Sequence, residues 1–70
     1  MQLTLRAIRT NKDLSQEEAA KLIGISVDTL RNYERGKSFP DIPILKKIED
    51  IYGVKYENIN FFYFENTKIP

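Results

Sequence analysis

The stretch QEEAAKLIGISVDTLRNYER, residues 16–35, decides the fold of this chain. Ala19, Ala20 and Ile23 recur on one side at helical spacing, and Gly24 then breaks the pattern. Glycine takes a left-handed turn there at no steric cost. Upstream, Ser15 and Glu18 form a capping box, in which the serine accepts from the third amide and the glutamate reaches back. Glu17 and Glu18 also favour the positive end of the helix dipole. Ile25 is an apolar plug in the turn, and Ser26 caps the next helix. At 100° per residue, Val27, Asp28, Arg31, Asn32 and Arg35 share an arc of about 140° on that helix. Leu30 and Tyr33 lie opposite and are expected in the core, Glu34 falls at the edge beside Leu30, and Gly36 closes the helix.

Working outward, the pattern stays helical. A first helix is expected over 2–11, with Met1, Leu5, Ile8, Arg9 and Lys12 on its inner stripe. Residues 37–40 form a loop. Asp41 caps a fourth helix, and Pro43 is tolerated in its first turn, where no helical partner exists for the missing N–H. Ile44, Leu45, Ile48, Ile51 and Tyr52 make its core stripe, and Gly53 stops it. Residues 54–59 read as a short fifth turn or helix. The expected fold is therefore all-α: a bundle of about five short helices in residues 1–60, followed by an aromatic tail over 61–70.

Seventy residues make one domain with a small core. The chain has neither cysteine nor histidine, so disulfides, zinc enzymes, Ser-His-Asp and Cys-His catalysis and histidine switches are excluded by inventory. No cofactor is implied. The acids are spread over helix surfaces, with no paired-carboxylate cleft and no phosphate-cradling glycine loop, so an enzyme is not expected. No apolar run approaches the ~20 residues of a membrane span, and the start of the chain lacks the apolar core of a secretory signal. The expected location is cytoplasmic. Net charge is +1 overall, distributed as +2 over residues 1–37 and −1 over 38–70. That gradient is compatible with a phosphate-facing first half.

Two helices joined across a short glycine turn make a helix-turn-helix unit. Ala20 allows the two helices to cross closely, and Ile25 and Leu30 lock their angle, so that the second can protrude into a major groove ~12 Å wide. Asn32 can pair with adenine N6 and N7 together. Val27 can meet a thymine methyl, or be one of the scattered apolar residues any surface carries. Asp28 can accept from cytosine N4, or serve only the helix dipole. Arg31 can pair with guanine, reach a phosphate, or bind Asp28 three residues away. Ser26 stands at the helix entrance. Gln16 and the amides beside it suit a phosphate, as do Arg35 and Lys37 flanking the exposed helix. Arg9 and Glu34 both occupy inner or edge positions among apolar neighbours. A buried charge needs a partner, so the two are expected to form an ion pair from the first helix to the third.

At these residues the chain resembles the lambda-repressor-like family of Cro/CI-type helix-turn-helix regulators, the XRE family. The resemblance runs over residues 5–59. It is carried by LRAIR (5–9), LSQEEAAKLIGIS (14–26), TLRNYERGK (29–37), Pro40 and LKKIEDIYGV (45–54) at correct mutual spacing. It implies a compact bundle that binds double-stranded operator DNA, usually as a homodimer on a palindromic site. The implied base-reading slots fall on Val27, Asp28 and Asn32, with Ser26 at the entrance. The implied phosphate slots fall on Gln16 and on Arg35, Gly36, Lys37 and Ser38. The implied ion pair falls on Arg9 and Glu34. Ala19 departs from the leucine more usual at its slot, and Val27 is less polar than many readers at its own.

The tail carries Phe61, Phe62, Tyr63 and Phe64. These rings either cover the open end of the core or pair two subunits. The leading expectation for function is a sequence-specific transcriptional regulator, a repressor or Cro-like switch, with no ligand domain in this chain. The alternative is an antitoxin-type interaction module that binds its own promoter and holds a toxin through the tail.

Overall fold

Four side chains set where the helices begin. Thr4 Oγ1 accepts from the Ala7 amide at 3.1 Å, Ser15 Oγ from Glu18 at 3.0 Å, Ser26 Oγ from Thr29 at 3.1 Å and Asp41 Oδ1 from Ile44 at 3.1 Å. Glu18 Oε1 returns the bond to the Ser15 amide at 2.9 Å, which completes the capping box. In the computed structural model, which describes residues 2–61, these caps open α1 (Leu5–Asn11), α2 (Gln16–Ile23), α3 (Val27–Glu34) and α4 (Ile42–Tyr52).

The first helix starts at Leu5 rather than at residue 2, because Thr4 is its cap and leaves Leu3–Thr4 extended as β1. The segment 54–59, expected as a short turn or helix, forms a 3₁₀ turn, Tyr56–Asn58, before Ile59–Asn60 extend as β2. The strands pair in parallel, Leu3 opposite Ile59 and Thr4 opposite Asn60. Gln2 Nε2 adds a bond to the Glu57 carbonyl at 3.0 Å. The fold remains helical, with four α-helices and a two-stranded clasp beside them among the described residues. Lys12, placed on the inner stripe by spacing, is exposed at the end of α1. Met1 lies outside the described residues.

One core joins the four helices and β2. Leu5 and Ile8 of α1, Ala19, Ala20 and Ile23 of α2, Leu30 and Tyr33 of α3, Ile48 and Tyr52 of α4 and Ile59 of β2 form a single buried cluster. Removing each large aliphatic member from water stabilises the fold by about 1.5–3 kcal/mol. Ala19 and Ala20 are almost fully buried, and α2 packs against both α3 and α4. Ile44, Ile51 and Phe61 pack half-buried against the cluster, so the first tail ring does cover the core. Phe62, Tyr63 and Phe64 lie outside the described residues. Among the described residues, no helix is long and apolar enough to cross a membrane.

Candidate nucleic-acid interface

The orientation of α3 is fixed at both ends. At its start the Ser26 hydroxyl accepts from the Thr29 amide and bonds the Thr29 hydroxyl at 2.8 Å. A hydroxyl has one proton and two lone pairs, so only one site of the Ser26 oxygen remains for a base. At its end the Gly36 amide donates to Tyr33 O at 3.2 Å and the Lys37 amide to Asn32 O at 2.9 Å. This is a Schellman closure, with Gly36 at φ +75° as its left-handed residue. Upstream, Gly24 takes φ +87°, and the Gly24 and Ile25 amides both donate to Ala20 O, at 2.8 and 3.0 Å. The α2–α3 turn is therefore bonded at each of its corners.

These constraints bury Leu30, Tyr33 and Glu34 and turn the opposite arc outward. Asp28 is exposed and Asn32 is partly so. Val27 is half-buried and packs against the core cluster, so its apolar character serves the scaffold as well as the surface. Arg31 Nη1 donates to Asp28 Oδ1 across one turn, and both side chains stay accessible. Beyond the helix, Lys37 is exposed and Ser38 partly exposed, while Arg35 forms the helix C-cap.

Behind this surface, Arg9 and Glu34 are each only 8% exposed. Arg9 Nε donates to Glu34 Oε2 at 2.6 Å and Nη2 to Oε1 at 3.2 Å, a bidentate pair. Arg9 Nη1 donates to the Leu14 carbonyl at 2.9 Å. The Glu34 hydrogen bond raises the Arg9 pKa above its ordinary value, against the opposing effect of burial. Gln16 Nε2 donates to Glu34 Oε1 at 3.1 Å, so Gln16 is tied to the same carboxylate.

The structure gathers part of the expected set into one open cleft of about 330 Å³, lined by Arg6, Arg9, Gln16, Glu17, Arg31, Glu34 and Arg35. Ser26, Val27, Asp28, Asn32, Lys37 and Ser38 do not line it. Arg6 and Glu17 line the cleft without having been expected at the site, and Arg6 is the cation of the two. Its position one turn before Arg9 on the same helix was the available signal.

A capped, glycine-hinged helix pair with its second helix turned outward defines a helix-turn-helix protein. The chain belongs to the XRE-type helix-turn-helix family of transcriptional regulators: the HTH_3 helix-turn-helix family model matches residues 5–59. It is similar to the cryptic phage CTXphi transcriptional repressor RstR of Vibrio cholerae, 38% identical over 71% of this chain and 45% of that protein. An uncharacterized HTH-type transcriptional regulator of Methanocaldococcus jannaschii is 38% identical over 84% of this chain and 89% of its own length. The SPbeta prophage-derived uncharacterized HTH-type transcriptional regulator YonR of Bacillus subtilis is 40% identical over 71% of this chain and 46% of its own length. The chain thus spans just under half of RstR and YonR and most of the archaeal regulator.

Proposed function

We propose that this chain is a sequence-specific DNA-binding regulator, a repressor or Cro-like switch, that lays α3 in the major groove of its operator in the cytoplasm. The observation that carries this reading is the division of α3 into a buried side and a polar, outward side held by hydrogen bonds at both ends. An α-helix with its side chains is about 10–12 Å across, which a major groove about 12 Å wide admits. In this reading Asn32 reads adenine, Val27 meets a thymine methyl, and Asp28 accepts from cytosine. Ser26 contributes at the groove edge. Gln16, Arg35, Lys37 and Ser38 hold the backbone and set the register. Residues 1–60 are the DNA-binding unit, and 61–70 add to it.

One α3 offers few readers, and each good base contact discriminates by about 1–3 kcal/mol. Two copies on a palindrome double that discrimination, so a homodimer on a two-fold operator belongs to the same proposal. Its name makes RstR a repressor, which supports occlusion of a promoter as the mode of action. Selection from a random duplex library at two salt concentrations tests the proposal. The expected result is one enriched, two-fold sequence whose affinity falls steeply with salt. Equal binding to every duplex, or to none, overturns it.

A further inference from the structure

We propose that Arg31 and Asp28 act as one reading unit, in which Arg31 reads a guanine and Asp28 is the positioning residue that aims it; this rests on the DNA-binding reading above. From the sequence, Arg31 could serve guanine, phosphate or Asp28. The observation that decides among them is the ion pair on the outward side of α3, where Arg31 Nη1 donates to Asp28 Oδ1 across one helical turn.

A phosphate contact draws its strength from an uncompensated cation. The Asp28 carboxylate offsets the Arg31 charge at close range, so the pair brings no net charge to a DNA backbone. Lys37 differs: it is exposed, and among the described residues it enters no ion pair. Guanine makes another demand. Its O6 and N7 accept together from the two prongs of a guanidinium edge. Arg31 keeps such an edge. Its Nη1 holds Asp28, while Nε and Nη2 have no protein acceptor among the described residues.

Helix geometry puts this edge where bases are met. At 100° per residue, Asp28 lies between Arg31 and Asn32 around α3. Long helical side chains also lean back towards the N-terminus of their helix. The bond to Asp28 therefore carries the guanidinium away from the cleft edge that Arg31 lines, towards the first turn of α3 and the Asn32 side. The first turn of an outward helix is the part that reaches base edges. Immobilising a rotamer-rich side chain is a cost of binding, and Asp28 removes part of that cost before DNA arrives. Asp28 is the more open partner, its side chain 81% accessible against 38% for Arg31. Its Oδ2 thus stays available for the cytosine N4 of the reading above.

Selection profiles of the wild type and three variants test the unit. Wild type is expected to enrich a guanine at one position of each half-site, and Arg31→Ala to reduce that preference over adenine by about 5–150-fold. Arg31→Lys keeps the charge but not the fork, and is expected to lose the preference too. Asp28→Asn is expected to weaken preference at the same guanine by about 3–10-fold although Arg31 is intact. It is also expected to tighten binding to a mixed-sequence duplex, because a negative charge leaves the DNA-facing surface. Each preference is a ratio between two duplexes, which the folded fraction of a variant does not change. An Arg31→Ala profile identical to wild type overturns the unit alone, and a flattened salt slope beside it marks a phosphate contact instead. Guanine preference unchanged in Asp28→Asn overturns the positioning role. Wild-type protein that enriches no sequence overturns the DNA-binding reading and the unit together.

Discussion

Arg9 donates through all three guanidinium nitrogens, to Glu34 twice and to Leu14 O once, and so ties α1 to the α1–α2 turn and to α3. Removing one partner of a buried pair leaves the other charge uncompensated, so Arg9→Ala is expected to cost ~3–5 kcal/mol. Urea denaturation checks it, and a midpoint near wild type would contradict it. Sequence spacing placed both charges on inner helix faces and hence facing each other. It could not show that Gln16 shares the carboxylate, because that bond depends on how α2 docks. Tyr52 is a second case. Its burial follows from the α4 stripe, but its hydroxyl finds no partner among the described residues. Burial, with Glu34 adding and Arg9 opposing, pushes its pKa from 10.0 up to about 12. A raised folded-state value means that the stabilisation is complete below pH 10 and is lost as pH climbs towards 12. Tyr52→Phe is therefore expected to match or exceed wild-type stability at pH 7 and to lose less of it in that alkaline window. Thermal melts across pH 7–12 would refute this if the variant were clearly weaker at neutral pH.

Each α-helix start is written in the sequence as a cap, at Thr4, Ser15, Ser26 and Asp41. Thr4 stands directly before Leu5, yet apolar spacing alone extended the first helix back to residue 2. The β1–β2 clasp was not legible. Two-residue strands are too short for an alternating pattern, and their pairing joins residues 56 positions apart. The α2–α3 hinge was legible, because Gly24 adopts the positive φ that its position demands. A Cβ added there would lie 3.6 Å from Lys47 Nζ, an ordinary contact, so the cost of Gly24→Ala is conformational. It is expected to destabilise the protein by about 1–2 kcal/mol, with little change in the DNA sequence selected once folded. A melt indistinguishable from wild type would show that the hinge does not need the left-handed conformation.

At the scale of the molecule, α3 faces outward because its inner side is shared by the core and by the Arg9–Glu34 pair. The sequence resemblance over residues 5–59 coincides with the span of the family match. What it could not give is the shared cleft, which forms only when three helices meet. For the proposed homodimer, deleting residues 62–70 and weighing the protein in solution separates the two roles of the tail. A shift from dimer to monomer mass supports pairing through it, and an undiminished dimer rules that out. The central claim, that α3 reads bases in the major groove, is tested most directly by comparing DNA selection profiles of wild type and Asn32→Ala, with Lys37→Ala as the phosphate control. Asn32→Ala is expected to relax preference at a single position of each half-site, and Lys37→Ala to weaken every sequence alike. An Asn32→Ala profile identical to wild type at every position would contradict it.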